Sequence, residues 1–365
     1  MIKKICIMGG GNGAFAAAAD LTLRGFEITI YEDPRFEKNI EGIKDEKIIN
    51  VEGVGPQGAA KIHKVTTDLE DALEDVDLVM PISPAFAQKD VAESLVPHLK
   101  EGMVICLTPG SCGGSLVYGK VFHEAGVFGK AKLCEMMTLP YATRKVNENT
   151  VNILLMTKLM YFAAFPASNN KELYDLVKPV YPNISLVTDV LESALNNGNI
   201  TSHAAPVVLN AGKIEYYGKH YHYKEGITPS VAKVNWEIDK ERLAICRAFG
   251  YKEVDAIERL YLTGYCPKAE NLYESYRGST EIFMKIGGPN SLDERYLTED
   301  APMSLVFCTK IADAAGVDTP VMDATVTLAS ALRSENYSVT GRTLTKVGLQ
   351  GMNVEEIREF LYEGY

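Results

Sequence analysis

The fold of this chain is decided by the stretch Ile2-Lys3-Lys4-Ile5-Cys6-Ile7-Met8-Gly9-Gly10-Gly11-Asn12-Gly13-Ala14. An alanine-rich segment follows, and the sequence continues with Gly25-Phe26-Glu27-Ile28-Thr29-Ile30-Tyr31-Glu32-Asp33. The pattern predicts a short apolar strand, a glycine turn, a helix and a second strand that ends in acidic residues. This order is typical of the βαβ unit that opens a nucleotide-binding sheet.

The glycine turn matches the G-x-G-x-x-G/A pattern of dinucleotide-binding proteins, with Gly9, Gly11 and Ala14 at the three defined positions. Gly9 permits the tight turn, Gly11 lets a pyrophosphate approach the backbone, and Ala14 allows the helix to pack closely on the strand. The N–H groups at the helix start, at Asn12 and Gly13, would then face the phosphates. The alternative is an ordinary α/β turn that binds no cofactor.

An acidic residue at the end of the second strand favours the cofactor interpretation. Glu32 lies near the ~20-residue offset at which a carboxylate accepts hydrogen bonds from the ribose hydroxyls of NAD. A carboxylate there repels a 2′-phosphate, which favours NAD, although Arg35 could accommodate NADP. NAD is therefore the predicted cofactor, with NADP as the second choice.

Length and composition set the class of protein. The chain has 365 residues, 46% of them hydrophobic, which is enough for two domains with substantial cores. A net charge of -11 with dispersed basic residues argues against a nucleic-acid partner. Seven cysteines without a C-x-x-C pair indicate a reducing cytoplasm, and we expect neither a metal site, a signal peptide nor a membrane span.

Strands and helices alternate along the first half of the chain. Strands are predicted near 61–66, 76–82, 103–108, 132–136, 151–156, 161–165 and 184–187, the pair around 158 being joined by a tight connection. Such alternation builds a doubly wound parallel sheet whose ligands lie at the carboxyl ends of the strands, near Ser83, Pro84, Thr108 and Pro109. Beyond Asp189 the periodicity is helical, so we expect an α/β dinucleotide-binding Rossmann domain over 1–188 and an all-helical substrate domain over 189–365.

A polar segment around His203 is one candidate for the chemistry. If the segment is helical, Asn196, Asn199, His203 and Asn210 share one face, although Pro206 should kink or restart the helix just after His203. The alternative interpretation is a satisfied core histidine flanked by capping asparagines.

A second candidate lies at residues 293–302. Its ordinary interpretation is that Thr298 caps a helix whose first turn carries acidic residues and Pro302, with Arg295 as a surface charge. Its functional interpretation is that Asp300 orients a histidine while Arg295 holds a carboxylate through its planar fork of donors.

Taken together, these segments resemble the opine dehydrogenase family, which includes octopine, nopaline and N-(carboxyethyl)norvaline dehydrogenases. The likeness covers essentially the whole chain. Its most recognisable parts are Gly9–Ala14, Ser83–Ala87, Thr138–Arg144, Asn197–Asn199 with His203, Arg295–Asp300, Gly341–Leu344 and Gly348-Leu349.

The resemblance implies a Rossmann domain, an all-helical domain and an active site in the cleft between them. In such enzymes an α-keto acid, most often pyruvate, condenses with the amino group of an amino acid to an imine, which NAD(P)H reduces to a secondary amine dicarboxylic acid. The family's histidine and aspartate correspond to His203 and Asp300, and its carboxylate-binding arginine corresponds to Arg295. The resemblance also implies substrate contacts at Asn199 and Thr138, cofactor contacts at Ser83 and Pro84, and a homodimer formed through the helical domain.

The sequence departs from the family pattern at three places. Ala204 replaces the proline that commonly follows the histidine, Gln88 stands where a histidine is frequent, and Thr143 replaces a frequent cysteine. We interpret His220 and His222 as part of a surface strand or loop, because they lack a third metal ligand. The tyrosines between 261 and 276 could contact an amino acid, but ordinary helix packing is the expectation.

Two other functions use the same cofactor domain. A 2-hydroxy-acid or ketopantoate-like dehydrogenase would oxidise NAD(P)H with a keto acid alone, whereas an opine dehydrogenase needs the amine as well. A nicotinamide-binding sensor would bind the cofactor with no turnover dependent on His203.

Overall fold

The computed structural model describes residues 1–365 and divides into two compact units. The first unit comprises residues 1–110, 117–190 and 363–365, and the second comprises residues 111–116 and 191–362. The first unit is an α/β sheet structure and the second is helical, which confirms the predicted fold class.

The strands all lie in the first unit. In chain order they are β1 (Lys4–Met8), β2 (Glu27–Tyr31), β3 (Ile48–Gly53), β4 (Gly58–Lys61), β5 (Lys64–Thr66), β6 (Leu78–Pro81), β7 (Met103–Leu107), β8 (Ala131–Met136), β9 (Tyr141–Asn147), β10 (Thr150–Met156), β11 (Met160–Phe165) and β12 (Ile184–Leu186).

The helices are α1 (Asn12–Leu23), α2 (Leu69–Ala72), α3 (Gln88–Leu95), α4 (Gly114–Glu124), α5 (Asn170–Val177), α6 (Val190–Leu195), α7 (Asn199–Ser202), α8 (Ala204–Leu209), α9 (Ala211–Tyr217), α10 (Pro229–Ala248), α11 (Ala256–Thr263), α12 (Leu272–Gly278), α13 (Arg295–Thr298), α14 (Val306–Ala315), α15 (Pro320–Arg333), α16 (Tyr337–Thr340) and α17 (Val354–Glu363). Single π-helical turns occur at His222–Gly226 and Ala301–Leu305. None of the helices combines the length and apolar character that crossing a membrane requires.

The main sheet has eight strands in the order β12-β11-β8-β7-β6-β1-β2-β5. All neighbouring pairs are parallel except β8 and β11. Helix α1 packs on it through the alanines at 14 and 16–19, which are all fully buried. Small side chains there let the helix lie close to the sheet, as the motif requires.

A second sheet of four strands, in the order β4-β3-β10-β9, was not expected. The predicted strand over 61–66 is in fact two strands, because β4 belongs to the small sheet and β5 to the main one. The tightly connected strands β10 and β11 are likewise in different sheets. Each of these two short connections leads from a strand of one sheet to a strand of the other and does not form a hairpin. Local sequence does not reveal which sheet a strand joins.

In the second unit the long helix α10 packs against α7, α8, α12, α14 and α15. Pro229 is its first residue, and the hydroxyl oxygen of Thr228 accepts a hydrogen bond from the Val231 N–H, so the sequence starts the helix there. Its fully buried Arg242 donates from Nε to Oδ1 of Asp239 at 2.8 Å. The other oxygen of the same carboxylate, Asp239 Oδ2, accepts from the Ala256 N–H. Asp239 therefore ties α10 to the start of α11.

Candidate functional sites

The glycine turn of the first unit has the geometry that the motif predicts. Gly9 adopts φ +130°, and a Cβ there would lie 2.7 Å from the carbonyl oxygen of Ile82. Gly11 precedes the first turn of α1, and a Cβ on it would meet nothing within 4 Å. The backbone at Gly11 is therefore open to a ligand, while Gly9 can only be glycine.

Glu32 lies beside this turn at the end of β2. Its carboxylate accepts from the Asp33 N–H at 3.0 Å and from Asn39 Nδ2 at 2.8 Å, and a Cβ on Gly10 would be 2.7 Å from its Oε2. The turn and the carboxylate thus form one site that fits a pyrophosphate with an adjoining ribose.

The guanidinium of Arg35 is paired with Asp33. Its Nε and NH2 groups donate to the two carboxylate oxygens of Asp33 at 2.9 and 2.8 Å. This bidentate pair lowers the pKa of Asp33 and holds the guanidinium that would otherwise be available for a 2′-phosphate.

The other predicted cofactor residues lie around the same turn. Gly13 lies so close to Leu139 that a Cβ on it would be 2.8 Å from a Leu139 methyl group. Ala14 is fully buried. Asn12 uses its side-chain oxygen to accept from the Lys145 N–H at 2.7 Å, which ties β9 to the start of α1. Asn12 therefore has a structural bond that sequence reasoning missed.

Three further predicted residues follow strands of the main sheet. Ser83 and Pro84 come directly after β6, and Thr138 lies two residues beyond the end of β8. All three are half-buried. Because β6, β7 and β8 run parallel, these residues lie at the same edge of the sheet, where ligands bind in such folds.

In the second unit His203 and Asp300 are in contact. Nδ1 of His203 lies 2.7 Å from Oδ2 of Asp300, and both side chains are about nine-tenths buried. The carboxylate keeps the proton on Nδ1, so Nε2 is the nitrogen that can exchange a proton with a ligand.

The helix is interrupted at His203. The backbone there is distorted from ideal helical geometry (φ -110°, ψ -70°), and His203 lies between α7 and α8. The predicted restart after His203 is confirmed, but the single polar face is not formed: Asn196 and Asn210 donate to backbone carbonyls, and Asn199 begins α7. Pro206 explains the break, because it lacks the N–H that a continuous helix needs.

Asp300 is positioned by an irregular turn. The predicted cap at Thr298 is wrong, because Thr298 is the last residue of α13, and the π-helical turn Ala301–Leu305 follows Asp300. Gly341 supports this turn, since a Cβ there would lie 2.5 Å from the carbonyl oxygen of Pro302. The N–H of Arg342 donates to the same oxygen at 2.8 Å, which gives the Gly341-Arg342 motif a structural role.

Arg295 is at the surface, with 65% of its side chain exposed. Its Nε donates to the buried carboxylate of Glu299, one turn later. Glu299 fixes the stem of the guanidinium, which leaves the planar end suited to a carboxylate ligand.

The interpretation of His220 and His222 as a surface segment is wrong. Both are buried, and Nε2 of His222 donates to the Ser202 carbonyl at 2.7 Å. Its ring stands edge-on to that of His203 with centroids 5.9 Å apart. Burial, and then the neighbouring His203, lower the pKa of His222 to about 3, so the ring is neutral.

Two tyrosines complete the surroundings of His203. The ring of Tyr296 stacks on the imidazole with centroids 3.8 Å apart, and the hydroxyl of Tyr223 lies 3.4 Å from Nε2. Neither was predicted from the sequence. The position of Tyr296 directly after Arg295 in the motif was the one available signal.

The first unit carries the glycine turn with Glu32, and the second carries the buried His203–Asp300 pair. Together these are the features expected of a nicotinamide-dependent dehydrogenase. Comparison with known proteins makes the assignment narrower. Residues 186–333 match the family of the NAD/NADP octopine/nopaline dehydrogenase alpha-helical domain. The chain is 32% identical to the opine dehydrogenase of Arthrobacter sp. (strain 1C), over 98% of both chains. It belongs to the opine dehydrogenase family.

Solved structures of octopine dehydrogenase share the fold. One, in complex with NADH and agmatine, superposes with a TM-score of 0.78 at 19% identity, covering 100% of this chain and 98% of the other. Another, with NADH and pyruvate, gives a TM-score of 0.74 at 19% identity, again covering 100% of this chain and 98% of the other. At this level of identity the likeness shows the architecture alone.

Proposed function

We propose that this protein is an opine dehydrogenase. It joins the keto carbon of an α-keto acid, which we propose is pyruvate, to the amino group of an amino acid. Loss of water gives an imine, and reduction gives a secondary amine dicarboxylic acid; the reverse oxidation follows the same path. The observation that carries the proposal is the His203–Asp300 pair in a chain of this family.

In this reaction His203 acts through Nε2. As an acid it protonates the hydroxyl group of the carbinolamine so that water can leave, and as a base it takes a proton from the amine in the reverse direction. Asp300 holds Nδ1–H and stabilises the imidazolium. The buried surroundings strengthen both effects because little water competes.

Arg295 holds the carboxylate of the keto acid with the planar end of its guanidinium. This contact fixes the orientation of the carbon that is reduced, which is a large part of what an enzyme contributes to hydride transfer. Asn199 and Thr138 are proposed as further substrate contacts.

The cofactor is NAD(P), and we propose that NADH is preferred. Reduced nicotinamide supplies the hydride. The glycine turn Gly9–Ala14 holds the pyrophosphate, Ser83 and Pro84 border the cofactor, and Glu32 accepts from the ribose hydroxyls. Glu32 would repel a 2′-phosphate, and Arg35 is already paired with Asp33.

The test is NADH oxidation with pyruvate and each of twenty amino acids, followed by mass analysis of the product. We expect oxidation only when keto acid and amine are both present, and faster with NADH than with NADPH. Oxidation with the keto acid alone, unchanged by any amine, would instead identify a 2-hydroxy-acid or ketopantoate-like dehydrogenase. His203→Asn should lose at least ~100-fold in kcat, whereas a sensor would bind NADH with no turnover that depends on His203.

Location and assembly are also proposals. All seven cysteines are free thiols, which supports a reducing cytoplasm. A homodimer through the helical unit is supported by exposed apolar side chains on two helices that pack together, Leu209 on α8 and Leu328 and Leu332 on α15.

A further inference from the structure

The hydroxyl group of Tyr223 faces the nitrogen of His203 that Asp300 does not hold. The hydroxyl oxygen and Nε2 lie 3.4 Å apart, at the long end of hydrogen-bond distances. Hydrogen bonds of acid–base groups are often long in unliganded enzymes and shorten in the reactive complex. We propose that Tyr223 is a positioning residue, whose hydroxyl stabilises the protonated Nε2 of His203; this inference rests on the proposed acid–base role of His203.

Tyr223 is held rigidly in this position. It lies in the π-helical turn that begins at His222, is buried, and stacks on the ring of Phe283 with centroids 3.8 Å apart and planes 8° from parallel. The ring cannot swing away without breaking this stack, so its hydroxyl stays directed at the imidazole.

The hydroxyl has a second partner in the side chain of Ser202. The Ser202 hydroxyl in turn donates to the Gly198 carbonyl at 2.9 Å. A tyrosine hydroxyl both donates and accepts. It can donate to Nε2 of the neutral ring, and when Nε2 is protonated it can accept from Nε2 and donate its own proton to the Ser202 hydroxyl. The chain of bonds therefore serves His203 in both charge states.

The other groups that face His203 do not supply this function. Asp300 binds Nδ1, Tyr296 covers one face of the ring, and His222 stands edge-on and is neutral. The nearby charges of Arg295 and Glu299 are paired with each other. The Tyr223 hydroxyl is the protein atom within hydrogen-bond distance of Nε2.

The direction of the effect follows from hydrogen-bond strength. A bond to a charged partner is roughly twice as strong as one between neutral groups. Loss of the hydroxyl therefore destabilises the imidazolium more than the neutral ring. In the reductive direction, where His203 must carry the proton, the alkaline limb of the kcat profile moves to lower pH.

The experiment compares the pH profile of kcat for the unmodified enzyme, Tyr223→Phe and Tyr276→Phe. Tyr276 is the matched control, because it loses the same atom in the same aromatic cluster, with its ring centroid 5.6 Å from that of Tyr223. We expect Tyr223→Phe to shift the alkaline limb down by about half to one pH unit and to lower kcat about 3- to 10-fold. Tyr276→Phe should leave the limb in place.

An unshifted limb in Tyr223→Phe, or an equal shift in Tyr276→Phe, would overturn the inference. Should Tyr223→Phe fail to fold, Ser202→Ala carries the test, because it removes the second partner of the hydroxyl and should shift the limb in the same direction by less. Full activity of His203→Asn would instead overturn the proposed function. If His203→Asn is inactive and the alkaline limb of the kcat profile is unshifted in Tyr223→Phe, only this inference is refuted and the proposed function stands.

Discussion

Pro206 and His222 act together, although 16 positions separate them in the sequence. Proline has no N–H, so the carbonyl of Ser202, four residues earlier, lacks its normal helical donor. Nε2 of His222 takes that place at 2.7 Å. The proline therefore does two things: it breaks the helix at His203, and it creates the acceptor that brings a second imidazole against the first.

The buried imidazole of His222 should make the protein sensitive to acid. Its pKa is lowered from 6.5 to about 3 in the folded chain. Between these values the unfolded chain binds a proton that the native chain does not, so the free energy of unfolding falls as pH falls, by about 1.4 kcal/mol per pH unit. Above that window both states are neutral and the effect vanishes.

Urea unfolding at several pH values between about 7 and about 5 measures this slope. His222→Gln retains a donor for the Ser202 carbonyl but does not titrate, so its stability should depend less on pH. His63→Gln is the control, because it makes the same change at a histidine whose side chain is half exposed. Equal slopes for His222→Gln and the unmodified protein would contradict the prediction.

At the scale of elements, the glycine turn joins β1 to α1 and is itself bonded to β2. The N–H of Gly9 donates to the Tyr31 carbonyl at 2.8 Å, which links the turn to β2. The two glycines of the motif differ in their surroundings: Gly9 is limited by its positive φ and by the Ile82 carbonyl, whereas a Cβ on Gly11 would meet nothing within 4 Å.

Alanine at each glycine separates these two constraints. Gly9→Ala should reduce the free energy of unfolding by at least about 2 kcal/mol, because of its positive φ and the contact with Ile82. Gly11→Ala should change stability by less than about 1 kcal/mol yet weaken NADH binding at least ~10-fold, because a methyl group takes the space for the pyrophosphate. Thermal unfolding and NADH fluorescence titration measure the two effects. Similar stability losses in both variants would show that this distinction is wrong.

Most strands of the main sheet could be predicted from the sequence because they are rich in buried apolar residues, as in 103–107. The small sheet could not. Strand β9 reads Tyr-Ala-Thr-Arg-Lys-Val-Asn, with three exposed residues, and β10 pairs in parallel with β3, about 100 positions earlier in the chain. Pairing partners so distant leave no local pattern.

At the scale of the whole molecule, the helical unit carries the apolar surface proposed for dimer formation. Leu328 and Leu332 lie one turn apart on α15 and are 50% and 39% exposed, and Leu209 on the adjoining α8 is 49% exposed. Covering such side chains is favourable because their apolar area leaves water.

A double variant, Leu328→Glu with Leu332→Glu, should therefore convert a dimer of 40.1 kDa chains into monomers. The added carboxylates cannot be buried across an interface without a large desolvation penalty. Sedimentation velocity measures the mass, and Val146→Glu, an equivalent change at an exposed site in the first unit, is the control. A monomeric unmodified protein, or a dimer that persists in the double variant, would contradict the proposal.

The sequence by itself determined the class of fold, the glycine turn after β1 and the identity of the family. These features depend on local patterns: apolar strands, glycines at fixed spacing, and short motifs that each act within one turn or one helix. It also singled out His203 and Asp300, which the motifs contain.

Only the tertiary structure decided what surrounds these residues. The contact between His203 and Asp300 joins positions 97 residues apart. Tyr223 and His222 reach the same imidazole from a turn that the sequence alone made us place at the surface. Such contacts arise because burial and a vacant backbone acceptor select partners in space, and spacing along the chain carries no record of that selection.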